Sequence, residues 1–123
     1  MRQQYYFRPS ERGLLAWDVN RLIQLSSHIP RKRVPLSAIR ELDEEWFGQE
    51  ERPTWMAMLE HIRLIESSNL SYPIILSASG AVMDGMHRVA KAALRGLKEI
   101  EAVQFDTDPE PDHIGVAPGD LPY

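Results

Sequence analysis

The stretch Tyr72 to Gly96, "YPIILSASGAVMDGMHRVAKAALRG", constrains the fold more than any other part of the chain, because its apolar residues change period part-way through. Ile74, Ile75 and Leu76 form one short buried-type run and Ala81 to Met83 a second, with Ser77 to Gly80 supplying turn chemistry between them. From Met86 the spacing becomes helical, with Met86, Val89, Ala90, Ala93 and Leu94 inward and Gly96 as the C-terminal stop. A hairpin that runs directly into a helix is the expectation. Two short strands cannot stand alone in water, so the fold has to combine helices with further strands.

The flanking segments supply them. "TWMAMLEHIRLIESSN" places Trp55, Met58, Leu59, Ile62 and Ile65 at helical spacing, with Pro53 near the first turn. "WDVNRLIQLSSHIP" predicts a shorter helix capped by Asp18, with Val19, Leu22, Ile23 and Ser26 on one face and Pro30 ending the pattern. "RVPLSAIREL" predicts an extended piece over Arg33 to Leu36, then a single helical turn capped by Ser37. "LKEIEAVQF" predicts a last strand in which Ile100, Ala102 and Gln104 alternate with Glu101, Val103 and Phe105. The acidic loop "DEEWFGQEERP" carries Trp46 and Phe47, which are too large to leave in water and are expected to fold back on the core.

The sum is an α/β (α+β) domain with a short mixed sheet of three or four strands packed by helices. Residues 1–32 read as an aperiodic arm and a short helix, 33–105 as the domain, and 106–123 as a tail rich in Pro and Asp. The tail is expected to form no element and to touch the surface through Ile114, Val116 and Leu121.

A length of 123 residues suits one continuous core. The net charge of -4 argues against coating nucleic acid by bulk electrostatics, although eleven of the fourteen basic residues are Arg, whose planar fork suits phosphate or carboxylate. The absence of Cys excludes disulfides, thiolate metal sites and thiol nucleophiles. No apolar run is long enough to span a bilayer, and "MRQQYYFRPSERG" lacks the apolar core of a signal peptide. A reducing, cytoplasmic setting without a membrane partner is the expectation.

The chemistry concentrates where the second strand becomes the helix. A helix starting near Gly85 presents backbone N–H groups without intrahelical partners and the positive end of its dipole, which together suit an anion. Gly85 carries no side chain there, and it tolerates the turn angles that a strand-to-helix change requires. Arg88 adds a cationic fork, and His87 a donor that can charge near neutral pH. His87, Lys91 and Arg95 recur at four-residue spacing as a basic stripe. Asp84 has three readings: an N-cap, a Mg²⁺ ligand beside phosphates, or a base that orients a hydroxyl or water. His61 reads as a packing residue beside the apolar face of its helix, and nothing singles out His28.

The order "VPLSAIREL", helix, "YPIILSASGAVMDGMHRVAKAALRG", "IEAVQF" resembles the ParB/sulfiredoxin-like superfamily over about Arg33 to Phe105, most specifically in Asp84-Gly85-x-His87-Arg88 after a hairpin. The resemblance implies a small α/β fold whose helix start binds nucleotide phosphates through Gly85, Met86, His87 and Arg88, with Lys91 nearby. Sulfiredoxins carry Cys where this chain has Met86, so reduction of sulfinic acids by that thiolate route is chemically excluded. ParB partition proteins carry a glycine-glutamate-arginine-arginine box and a later helix-turn-helix; with Gly85-Met86-His87-Arg88 in place of the box and too few residues after it for a helix-turn-helix, sequence-specific binding of DNA is not expected. The free serine kinases share the Asp-Gly-x-His-Arg wording most closely and use a carboxylate base. Among Glu41, Asp43, Glu44 and Glu45, that likeness favours Glu41, which lies closest to the ordered turn.

The leading expectation is therefore a nucleotide-phosphate-binding domain acting as a Mg²⁺-dependent phosphotransferase or nucleotide hydrolase, with ATP, ADP or CTP as ligand and Asp84 and Glu41 as candidate catalytic carboxylates. The second is a non-catalytic ParB-like module that pairs with another copy, another protein or nucleic acid through Trp46, Phe47, "YYF" and "LPY". A ParB-like nuclease comes third, and would need a metal-binding cluster for which Asp106, Asp108, Asp112 and His113 are the only dense source.

Overall fold

The computed structural model describes residues 3–44 and 54–123. In chain order the described elements are β1 (Tyr5–Arg8), β2 (Leu15–Asp18), α1 (Val19–Ser26), β3 (Lys32–Pro35), α2 (Trp55–Ser67), β4 (Ile74–Leu76), β5 (Val82–Asp84), α3 (Met86–Leu94), β6 (Glu99–Gln104) and β7 (His113–Ile114). Short 3-10 turns occupy Leu36–Ala38, Arg40–Asp43 and Pro118–Asp120. The class is α+β, with a mixed four-stranded sheet in the order β3-β6-β4-β5 and an antiparallel three-stranded sheet in the order β1-β2-β7.

The hairpin that the sequence predicts is present. Ser77 N–H donates to Ala81 O at 2.8 Å, Gly80 N–H closes back on Ser77 O at 2.9 Å, and the Ser77 hydroxyl accepts from Ala81 N–H at 3.0 Å. β6 lies between β3 and β4, antiparallel to the first and parallel to the second. A central strand is covered on both faces. Ile100 and Ala102 join Ile74, Leu76, Val82, Val89 and Ala92 in one apolar cluster. Val103 and Phe105 join Ile75, Met83, Trp17 and Leu22 in another on the opposite face. Both alternating rows are therefore buried, Ile100 and Ala102 on one face and Val103 and Phe105 on the other.

α1 forms as expected, with the Asp18 carboxylate accepting from Asn20 N–H at 2.9 Å. At the turn after β3, however, Pro35 holds the capping position and no side chain caps, so Ser37 does not have the predicted role. Leu36 N–H instead donates to Lys98 O at 2.9 Å.

Two terminal segments differ from expectation more deeply. Tyr5–Arg8, read as an aperiodic arm, pairs antiparallel with β2 along its whole length. The segment read as an element-free tail contributes β7 to the other edge of β2 and buries Leu121. It is strapped down by polar bonds: Trp17 Nε1–H donates to Pro109 O at 2.7 Å, and Asp112 accepts from Asp18 N–H at 2.8 Å and from Arg21 at 3.2 Å. Composition predicts disorder only when too little apolar surface can be buried. Here β2 is apolar enough to recruit both neighbours.

Candidate functional site

β5 delivers Asp84 to the start of α3, and Gly85 is the residue at which the chain turns. Its φ of 112° lies in the left-handed region, and a Cβ at this position would stand 2.7 Å from Ile74 Cγ2 and 2.8 Å from the Arg88 guanidinium. Only glycine fits. Gly85 is itself the N-cap of α3, and no side chain caps this helix end. The capping role considered for Asp84 is therefore corrected. Asp84 closes the strand, one position too early to reach over the first turn.

The Asp84 carboxylate pairs with Arg88, Oδ2 to Nη2 at 3.1 Å, across one helical turn, and both side chains are only 18% exposed. The same Arg88 nitrogen donates to Pro73 O at 3.2 Å, while Arg88 Nε is buried without a partner among the described residues. Arg88 is thus a cation held in place by its own neighbours, with donor capacity to spare. His87 packs edge-to-face on His61 of α2, ring centres 5.0 Å apart. Burial, and secondarily the positive Arg88 beside it, holds the His87 imidazole below its usual 6.5, against the opposite pull of Asp84. At neutral pH the ring is uncharged.

Two predicted members are placed elsewhere. The Lys91 ammonium donates to Ser68 O at 2.7 Å and Glu66 O at 2.9 Å, closing the carbonyl end of α2 rather than facing the start of α3. Glu41, on the 3-10 turn after β3, accepts from the backbone N–H of Val82 on β5. Its other oxygen is buried without a partner among the described residues. Its strand partner lies two residues before Asp84, but Glu41 stands outside the cleft onto which Asp84 opens. Glu45, Trp46 and Phe47 lie outside the described residues.

That cleft, of about 1260 Å³, is lined by the whole run from Val82 to Arg88, by β1, by α1 and by the C-terminal turn of α2. Neither known family models nor the curated proteins contain a match to the chain. The lining of the cleft combines the uncapped helix start with Tyr6, Phe7, Ile23 and Tyr72. Sequence reasoning misses two of these wall residues: Tyr72 follows a helix in a loop, and Ile23 has the spacing of a core position in α1. The "YYF" run is the one local signal for this wall.

The nuclease candidates do not converge. Asp108 is bound by Arg8 at 2.9 Å and by Ala78 N–H at 2.8 Å, and Asp112 by Arg21 and β2. Among the described residues, no group of three His, Asp or Glu side chains stands close enough to hold a metal ion. No helix among them is long and apolar enough to cross a membrane.

Proposed function

We propose that the cleft at the β5–α3 junction binds a nucleotide through its phosphates, in the manner of a ParB-like domain, and that it serves a Mg²⁺-dependent phosphotransferase or nucleotide hydrolase. The observation that carries this reading is the uncapped start of α3, with a glycine at φ 112° and a fixed arginine, opening onto a cleft of about 1260 Å³. The first backbone N–H groups of α3 have no intrahelical acceptor, and the helix dipole adds positive potential where they converge. Gly85, Met86 and His87 supply those groups, and Arg88 supplies charge that its pairing with Asp84 holds in one orientation. The aromatic wall suits a flat base, since stacking on Tyr or Phe is worth about 1–3 kcal/mol per base.

Mg²⁺ fits this site in one form only. Among the described residues a single carboxylate, Asp84, lines the cleft, so the ion would be held jointly by Asp84 and phosphate oxygens, as Mg²⁺ commonly is. Glu41 does not open onto the cleft and acts as a base only if the 3-10 turn shifts.

Titration of the protein with ATP, ADP and CTP in the presence of Mg²⁺, followed by calorimetry and by amide shifts of Gly85 to Arg88, tests the reading. Binding that Arg88→Ala weakens at least about tenfold is expected. No heat and no shift with any of the three overturns it. A second reading, a non-catalytic ParB-like interaction module, is favoured by one separate observation, the exposed apolar face of α2.

A further inference from the structure

We propose that the outward face of α2 is the surface through which two copies of this chain pair. The helix runs for thirteen residues and none of them is fully buried. Its inward side consists of Ala57, His61 and Ile65. The residues that the sequence makes apolar at helical spacing, Trp55, Met58, Leu59 and Ile62, point the other way, with Met56 at their margin. These five are between 42% and 81% exposed. Single exposed apolar side chains are ordinary, but a stripe at i, i+3, i+4 and i+7 is a seam for another helix.

A second copy of α2 meets the requirements of that seam. The five side chains offer about 600 Å² per copy, so two copies face to face can remove up to about 1,200 Å² from water, the lower end of the range for a specific interface. Two-fold symmetry requires a self-complementary patch, and the face from Trp55 to Glu66, whose midpoint falls between Leu59 and Ile62, is one. The axis sets Leu59 of one copy against Ile62 of the other and runs the helices antiparallel. Glu66, on the same face near the carbonyl end, then lies beside the positive N-terminal end of the opposing helix. Leu64 and Ser67, on another side of α2, line the cleft, so pairing leaves the β5–α3 junction open.

Sedimentation equilibrium of the full chain over a wide concentration range reads the prediction directly. The wild type is expected to dissociate reversibly from dimer to monomer. Leu59→Glu and Ile62→Glu are expected to raise the dimer dissociation constant by about a hundredfold or more while leaving the melting temperature of the monomer in place, because both sites are exposed. The chain has no Cys, so oxidation of an equimolar mixture of Leu59→Cys and Ile62→Cys variants should give a covalent dimer that joins one of each. A wild type that stays monomeric at every concentration, or a dimer that Leu59→Glu leaves intact and in which the mixed Leu59→Cys and Ile62→Cys variants fail to cross-link, overturns the proposal. Both outcomes are independent of nucleotide binding.

Discussion

Among the described glycines Gly85 carries the tightest local constraint, and it was legible as a residue type but not as a steric necessity. A substitution to Ala combines a left-handed backbone with a Cβ inside contact distance of Ile74 and Arg88, so Gly85→Ala is expected to destabilise by about 2–4 kcal/mol in urea unfolding. His87 sets a pH dependence. Its pKa in the folded protein is lower than in the unfolded chain, so the fold prefers the neutral ring. The corresponding stability is fully present above about 6.5 and is lost as the pH falls through the lower folded value. Unfolding measured from neutral into acid conditions should fall more steeply for the wild type than for His87→Gln, and NMR titration should place the His87 midpoint below 6.5. Asp84 shows where residue type was insufficient: a carboxylate before a helix reads as cap, ligand or base. Only the position of Gly85 as the actual N-cap removes the first reading.

At the scale of elements, the sequence placed α2, the β4–β5 hairpin and α3 close to their observed limits, because the switch from strand to helical period is a local signal. Which face of each helix points inward was not local. α3 buries Val89 and Ala92, while Ala93 and Leu94, expected inward, are exposed. The helix is rotated so that His87 meets His61 and Lys91 reaches the end of α2. In α2 the apolar stripe faces away from the domain, since the inward side holds only Ala57, His61 and Ile65. The basic stripe of His87, Lys91 and Arg95 therefore divides in function. Lys91→Met should remove the closure of α2 and lower stability by about 1 kcal/mol, with nucleotide affinity unchanged in the calorimetric titration. A large loss of affinity in that variant, with stability intact, would return Lys91 to the proposed phosphate site.

At the scale of the whole molecule, the two ends of the chain close the structure. The β1-β2-β7 sheet covers the face of the central sheet that holds Ile75, Met83 and Val103, and Arg8 lies over the rings of Trp17 and Tyr6 at 4.8 and 5.5 Å. The sequence treats Ile114 and Leu121 as equivalent surface contacts of a tail, but the fold does not. Leu121→Ala should lower the unfolding free energy by about 2–3 kcal/mol, whereas Ile114→Ala, at a half-exposed position, should change it by less than about 1 kcal/mol. Equal effects would mean that the C-terminal segment does not pack as a strap. By itself the sequence determined the α+β class, the hairpin, the helices and the chemistry gathered at Asp84 to Arg88, because hydrophobic period, turn residues and helix ends act within a few residues of one another. Tertiary structure alone decided that Lys91 closes α2, that Glu41 stands outside the cleft, that the two termini become strands, and that the α2 stripe faces outward. Those outcomes depend on pairs such as Trp17 and Pro109, or Lys91 and Ser68, whose meeting is fixed by packing across the fold and not by spacing along the chain.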